Sequence, residues 1–327
     1  MALLDLELKY SISRGRALTA RRLEKGWPRS LWGASPALTL PLKARADRLL
    51  GFDSETLVFN THNIPGHFDW NMQTLVHRVQ RFAPGFLPVL DRLILAWVLR
   101  RYDVVHLFYD RGITTPIGCV GISLWELDVL QRANKAVYLF ARGPDVRTRE
   151  ATLALGRWNV CVECPEPGKY CVCTKQEGER ISATAAHATD AVAMADLDIY
   201  TTFALQFDYW PINTALMEPV AGDGHVAPGP LRIVHASSHA HFGGTRHLIA
   251  TVDALRAEGH EIELILLQSS PGKTAVDEFV KADLVVDQLV GGAYEYPALE
   301  AMACGKPVLS YIRDPSRIEA SLMSARS

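Results

Sequence analysis

The sequence predicts an α/β protein of two domains, each built on a parallel sheet. Three features carry this: short Val-, Ile- and Leu-rich runs with little alternation, amphipathic helical patterns between them, and one Gly/Pro-rich break late in the chain. Apolar runs without alternation are what strands buried on both faces look like, and strand–helix–strand order at this length means βαβ units.

In chain order, the first domain is expected to hold strands at 56–59, 103–108, 136–140 and 198–201. The second is expected to hold strands at 232–236, 261–267, 284–288 and 308–312. Residues 245–257 place Leu248, Ile249, Val252 and Leu255 on one helical face and stop at Gly259. Residues 275–282 group Val276, Phe279 and Val280 in the same way. A helix at 297–303 has Pro297 at its start, with Gly305 and Pro307 past its end. Residues 221–230, AGDGHVAPGP, have no period and read as the linker, which sets the domains at 1–220 and 231–327. Two such domains face a cleft, and ligands of open parallel sheets bind at such crevices.

Of the 327 residues 48% are hydrophobic and 21% charged, ample for a core and unlike a disordered chain or a disulfide mini-protein. The net charge of -2 carries no broad basic field, so no nucleic-acid partner is expected. The most apolar region, 86–99, is interrupted by Asp91 and Arg92. It is too short and too charged to span a bilayer and reads as a core helix, with peripheral membrane contact as the weaker reading. The first residues lack a signal-peptide pattern, so a cytoplasmic protein is expected, with the membrane surface as an alternative place of work.

Two blocks carry a chemical signature: LRIVHASSHAHFGGTRHLI (231–249) and ADLVVDQLVGGAYEYPALEAMACGKPVLSYI (282–312). In the first, a strand runs into a glycine-containing loop, with Thr245 as candidate N-cap of the next helix. Gly243 and Gly244 let a ligand approach the backbone, and the helix N-terminus offers N–H groups and a positive dipole end to a phosphate. In the second, Glu300 falls in the first turn of its helix behind Gly291, Gly292 and Pro297. A carboxylate there suits two neighbouring hydroxyl donors. His235, His239, His241 and His247 have little carboxylate company, and a metal among them is set aside.

Together these blocks resemble the donor domain of GT-B glycosyltransferases of the family 4 type, with ALEAMACGKPV the most specific piece. The resemblance implies two Rossmann-like domains and retaining transfer of a sugar from a nucleotide diphosphate donor to a saccharide or lipid-linked acceptor, as in cell-surface polysaccharide or glycoconjugate synthesis. It implies no catalytic metal. It assigns Glu300 to the donor ribose and Ser237, Ser238, Gly243, Gly244, Thr245, Gln288 and Tyr294 to the rest of the donor nucleotide sugar, with Arg246 and Asp110 as catalytic candidates. The family's Arg and Lys that hold the diphosphate fall at Ala240 and Gly243, and its earlier glutamate falls at Gly292. Arg246, His239 and His241 stand near as substitutes. Two other readings stay open: a nucleotide-sugar 2-epimerase, and a GT-B protein that binds a nucleotide sugar or a partner without turnover. The fold ordinarily continues past 312 with further helices, so the C-terminal part is expected to be truncated.

On the acceptor side, Trp32, Gly33 and Ser35 are expected to line the cleft, with Ser35 also a candidate N-cap. The histidine position common in the family is taken by Phe108, and His106 lies on the same strand face. In GPDVRTRE, Asp145 and Arg147 are expected to meet the acceptor or each other. Finally, Cys161, Cys164, Cys171 and Cys173 are spaced C-x2-C-x6-C-x-C, an insert at the edge of the first domain. Four such thiols fit a structural zinc ion, with an iron–sulfur cluster, a redox pair or unligated thiols as alternatives. Cys119 and Cys304 read as packing residues.

Overall fold

The computed structural model describes residues 2–37, 39–61, 67–116, 119–206, 210–214, 217, 229–268, 272–317 and 319. The chain divides into two compact units, Met1–Thr148 with Thr174–Phe207, and Arg149–Cys173 with Asp208–Ser327. The four-cysteine segment thus packs with the second unit, not the first as expected from its place in the sequence. Of the expected linker, residues 221–228 lie outside the described residues.

In chain order the first unit runs α1 (Ala2–Glu24), β1 (Arg29–Trp32), α2 (Thr39–Leu49), β2 (Asp53–Val58), β3 (Trp70–Asn71), α3 (Gln73–Phe82), α4 (Leu87–Arg101), β4 (Val104–Phe108), α5 (Leu124–Arg132) and β5 (Ala136–Phe140). After α6 (Arg149–Leu153), which belongs with the second unit, it closes with α7 (Lys175–Ala185), β6 (Asp190–Ala193) and β7 (Leu205–Gln206). All described pairings are parallel, in the order β3-β2-β1-β4-β5-β6-β7. The chain builds outward from β1 in one direction and then from β4 in the other, so the order reverses between β1 and β4.

The apolar region around 86–99 is α4, whose Leu90, Ile94, Leu95, Val98 and Leu99 are buried at helical spacing. It packs on α1, where a Cβ on Gly15 would come within 2.3 Å of the Leu99 carbonyl. Residues 198–201 are not a strand. The strand is instead DAVA of β6, eight residues earlier, and Thr201 Oγ1 donates to the Leu197 carbonyl at 2.8 Å to close a turn. No helix among the described residues is long and apolar enough to cross a membrane.

The second unit holds β8 (Leu231–Ala236), the single turn α8 (Ala240–Gly243), α9 (Thr245–Ala257), β9 (Ile262–Leu267), α10 (Gly272–Lys281), β10 (Leu284–Val286), α11 (Tyr296–Ala303) and β11 (Val308–Leu309). Its parallel sheet has the order β11-β10-β8-β9, reversing between β8 and β10. Leu248 and Val252 of α9 pack with Ile233 and Val286 on one sheet face, while Phe279, Ala282 and Ala301 pack with Val234 and Val285 on the other. Ile249, expected on the same face, is 38% exposed.

Candidate functional site

Each unit presents loops at the carboxyl edge of its sheet where strand order reverses, the place where open parallel sheets take ligands. In the first unit, β1 runs into Ser35 and β4 into Asp110. Ser35 Oγ donates to Asp110 Oδ2 at 2.7 Å, which joins the two loops across the reversal. Arg142, just past β5, closes an ion pair with the same carboxylate oxygen, and its guanidinium lies 4.8 Å over the Phe108 ring. The backbone N–H of Arg142 donates to Asp145 Oδ1 at 2.7 Å. Burial pushes the Asp145 carboxyl up to about 6. Arg142 was not singled out by the sequence; its position one residue past the apolar run of β5 is the signal that could have found it.

Other expected acceptor-side residues do different work. Trp32 is 6% exposed, stacks on His106 with centroids 3.8 Å apart, and donates its indole N–H to Asp47 Oδ2 at 2.8 Å. It is core, not cleft lining. Burial, helped by the Lys43 charge, pushes the His106 imidazole down to about 3, so it sits neutral between Trp32 and Tyr138. Gly33 has no room for a side chain, since a Cβ there would meet the Leu57 carbonyl at 2.7 Å. Ser35 is not an N-cap, because α2 begins at Thr39 and the Ser35 hydroxyl goes to Asp110. Arg147 folds back toward Gly143, where a Cβ would meet its Nη2 at 3.1 Å.

In the second unit the loop after β8 contains α8, and Gly244, at φ 69°, ends α8 and caps α9. Glycine is needed there for that left-handed conformation. Thr245 is therefore the first residue of α9 and not its cap, and its side chain is spent inward. His235 Nε2 lies 2.8 Å from Thr245 Oγ1, and Nδ1 lies 2.8 Å from the Val286 carbonyl. The Val286 carbonyl can only accept, so Nδ1 carries the proton and Nε2 accepts from the hydroxyl. One neutral histidine thus ties β8, β10 and α9 together, and burial pushes its pKa down. Gly243 serves the same packing: a Cβ would lie 2.5 Å from Ser237 Oγ and 3.0 Å from His235 Cε1. The family's lysine has no space at this position. Ser237 Oγ donates to the His239 carbonyl at 2.9 Å, while Ser238 is exposed.

The loop after β10 is held from within. Gln288, 1% exposed, accepts from the Gly291 and Gly292 N–H groups and donates to the Tyr311 carbonyl at 2.6 Å. Gln288 is a loop staple and not a ligand contact. Asp287 accepts from the Glu295 N–H at 2.9 Å and from Ser310 Oγ at 3.0 Å, which fixes the entry of α11; the sequence reading passed it over. Gly292, at φ 96°, stands under the Arg313 guanidinium, where a Cβ would lie 2.6 Å from it. The family's glutamate would be strained and crowded there. Tyr294 is half-buried in this loop.

Glu300 opens the second turn of α11, since that helix starts at Tyr296, one residue earlier than expected. Its carboxyl makes no hydrogen bond or ion pair among the described residues, and burial alone pushes it up to about 7. Arg246 is 73% exposed at its side chain and pairs with Glu163 of the four-cysteine segment.

Among the described residues no three or more His, Cys, Asp or Glu side chains gather as a metal site, and no disulfide joins the cysteines. Cys161 packs with Val160, Val290 and Phe242, and the Gly168 N–H lies 3.0 Å from Cys173 Sγ. Cys304 is fully buried, as a packing residue would be, but Cys119 is exposed and is not one.

No protein-family profile and no curated protein matches the chain. Among solved structures it is similar to sucrose-phosphate synthase from Thermosynechococcus elongatus, with 12% identity, TM-score 0.49, and 87% of this chain and 81% of that one covered. It is also similar to Anabaena HepE in complex with UDP-glucose, with 11% identity, TM-score 0.48, and coverage of 91% and 89%. A third is a UDP-N-acetylglucosamine 2-epimerase from Listeria monocytogenes, with 15% identity, TM-score 0.36, and coverage of 90% and 82%. Likeness of this size carries nothing about activity.

Proposed function

We propose that the protein is a GT-B glycosyltransferase that moves a sugar from a nucleoside diphosphate donor on the second unit to a saccharide or lipid-linked acceptor on the first, with retention. The observation that carries this reading is Glu300. A half-buried carboxyl without a hydrogen-bond or ion-pair partner among the described residues stands in the second turn of α11, and α11 is entered from the β10 loop at the strand-order reversal. A carboxylate that has lost water without gaining donors suits a ligand with paired hydroxyls, as on ribose. The neighbouring β8 loop leads into the N-terminus of α9, which suits the diphosphate, and Arg246 adds charge stabilisation as it departs. On the first unit, Ser35, Asp110 and Arg142 offer an acceptor's hydroxyls both a carboxylate and donors. The departing phosphate oxygen takes the acceptor proton, so no strong base is required. The sequence resemblance supports surface polysaccharide or glycoconjugate synthesis as the setting.

The test is equilibrium titration with UDP as probe, followed by incubation with UDP-sugars and product analysis, which separates transfer from 2-epimerisation. Binding with turnover to a new glycoside is expected; binding without any turnover means a non-catalytic nucleotide-sugar protein. The cysteine spacing supports a structural zinc ion held by Cys161, Cys164, Cys171 and Cys173. Zinc would supply only a cross-link there, and no catalytic step runs through it. Elemental analysis of the purified protein is expected to find about one zinc per chain, and a metal-free, fully folded chain contradicts it.

A further inference from the structure

The segment 149–173 is held to the rest of the second unit through Arg246 and His247, which open α9 beside the donor loop. Glu163 pairs with Arg246, and His247 Nε2 stands 2.8 Å from the same carboxylate oxygen. Both partners are in the first turn of α9, whose dipole end favours an anion. The ring of Trp158 meets His247 edge-on with centroids 5.2 Å apart, and the Trp158 carbonyl accepts from Arg313 Nη2 at 3.2 Å. Farther along, Tyr170 lies 4.6 Å from His239 and 4.9 Å from His241, ring to ring. Val160 and Cys161 anchor the segment against Val290 and Phe242. The segment therefore covers the β8 loop and offers its own carboxylate where a phosphate would need charge.

We propose that the segment is a strap that inhibits the donor site, with Glu163 as an intramolecular stand-in for the diphosphate that donor binding displaces from Arg246 and His247. This rests on the donor reading above. The Arg246 contact of the carboxylate is an ion pair at a partly exposed site, the kind that contributes modestly and exchanges readily. A ligand carrying two phosphates outcompetes one carboxylate at Arg246 and His247, whereas a nucleoside does not compete with it at all. The strap thus selects for diphosphate over nucleoside and keeps the loop covered until a donor arrives.

The test is titration calorimetry of wild type and Glu163→Gln with UDP, inorganic pyrophosphate and uridine, after thermal melts show that both chains fold. Glu163→Gln is expected to tighten UDP and pyrophosphate by about threefold or more, with uridine unchanged. Arg246→Ala is the second variant and is expected to abolish that gain when combined with Glu163→Gln. Hydrogen exchange on wild type is expected to show residues 158–170 losing protection on UDP binding. Equal or weaker UDP binding by Glu163→Gln overturns the proposal while leaving the donor reading intact. Absence of any UDP binding by either chain overturns the donor reading itself, and the strap with it.

Discussion

The two strand-order reversals are built on opposite principles. At the first, between β1 and β4, one carboxylate oxygen is already engaged: Ser35 donates to Asp110 Oδ2 and Arg142 pairs with it, while Asp110 Oδ1 is buried with no hydrogen-bond partner among the described residues. At the second, between β8 and β10, the polar groups that are satisfied lie behind the loop surface, in His235, Asp287 and Gln288. What remains is either without a partner among the described residues, as with Glu300, or paired with Glu163, as with Arg246. The difference lies in what a ligand must displace. A carboxylate already bonded to an arginine gives up those bonds to take a ligand, whereas Glu300 gives up none.

The largest effect that sharpens this contrast is on turnover. Asp110→Asn keeps the shape but weakens the pairing with Arg142. It is expected to lower transfer by about a hundredfold, through misplaced acceptor hydroxyls, while leaving UDP affinity within about twofold. Steady-state kinetics with parallel titrations check this, and a matched loss in UDP binding breaks the division of labour between the units.

Next in size is stability. Removing His235 leaves the Thr245 hydroxyl and the Val286 carbonyl unpaired in the core and opens a cavity beneath α9. His235→Ala is expected to cost about 2–4 kcal/mol in urea unfolding. A loss below about half a kcal/mol would mean that His235 does not tie the second unit together.

These inward roles explain what could be read in advance. Residues 245–257 were legible as a helix because Leu248 and Val252 recur at helical spacing and Gly259 stops them, and α9 covers the same residues. The parallel sheets were legible from runs such as residues 103–108. The short β1, by contrast, disappears into the SLWGASP stretch, which reads equally well as a helix approach. The roles of Gln288, Asp287 and Arg142 were not legible, because each depends on what the fold brings beside it and not on spacing. The same holds for Glu163, which lies 83 positions from Arg246. The glycine pair was legible as necessary but for a different reason: Gly243 is packed against His235 and Ser237 rather than held open for a ligand.

A smaller effect follows from Glu300. Burial raises its carboxyl from 4.5 to about 7, so between those values the folded chain holds a proton that the unfolded chain releases. The stability this contributes is full below the unfolded value and is lost as pH rises through about 7. Glu300→Gln is expected to flatten that part of the stability–pH profile and to be the more stable chain at pH 8, read by urea unfolding across the range. Parallel profiles for the two chains would show that Glu300 is solvated after all.

The most direct measurement for the donor reading is a calorimetric titration of uridine and UDP into wild type and Glu300→Ala at a pH of about 8, where the carboxyl is ionised. The reading predicts that wild type binds both and that the substitution weakens each by about tenfold or more, the cost of about 1–3 kcal/mol for a lost charged acceptor. Uridine is expected to suffer as much as UDP, because the contact is to ribose. Equal affinity in the two chains, or no binding by wild type at millimolar ligand, would contradict it.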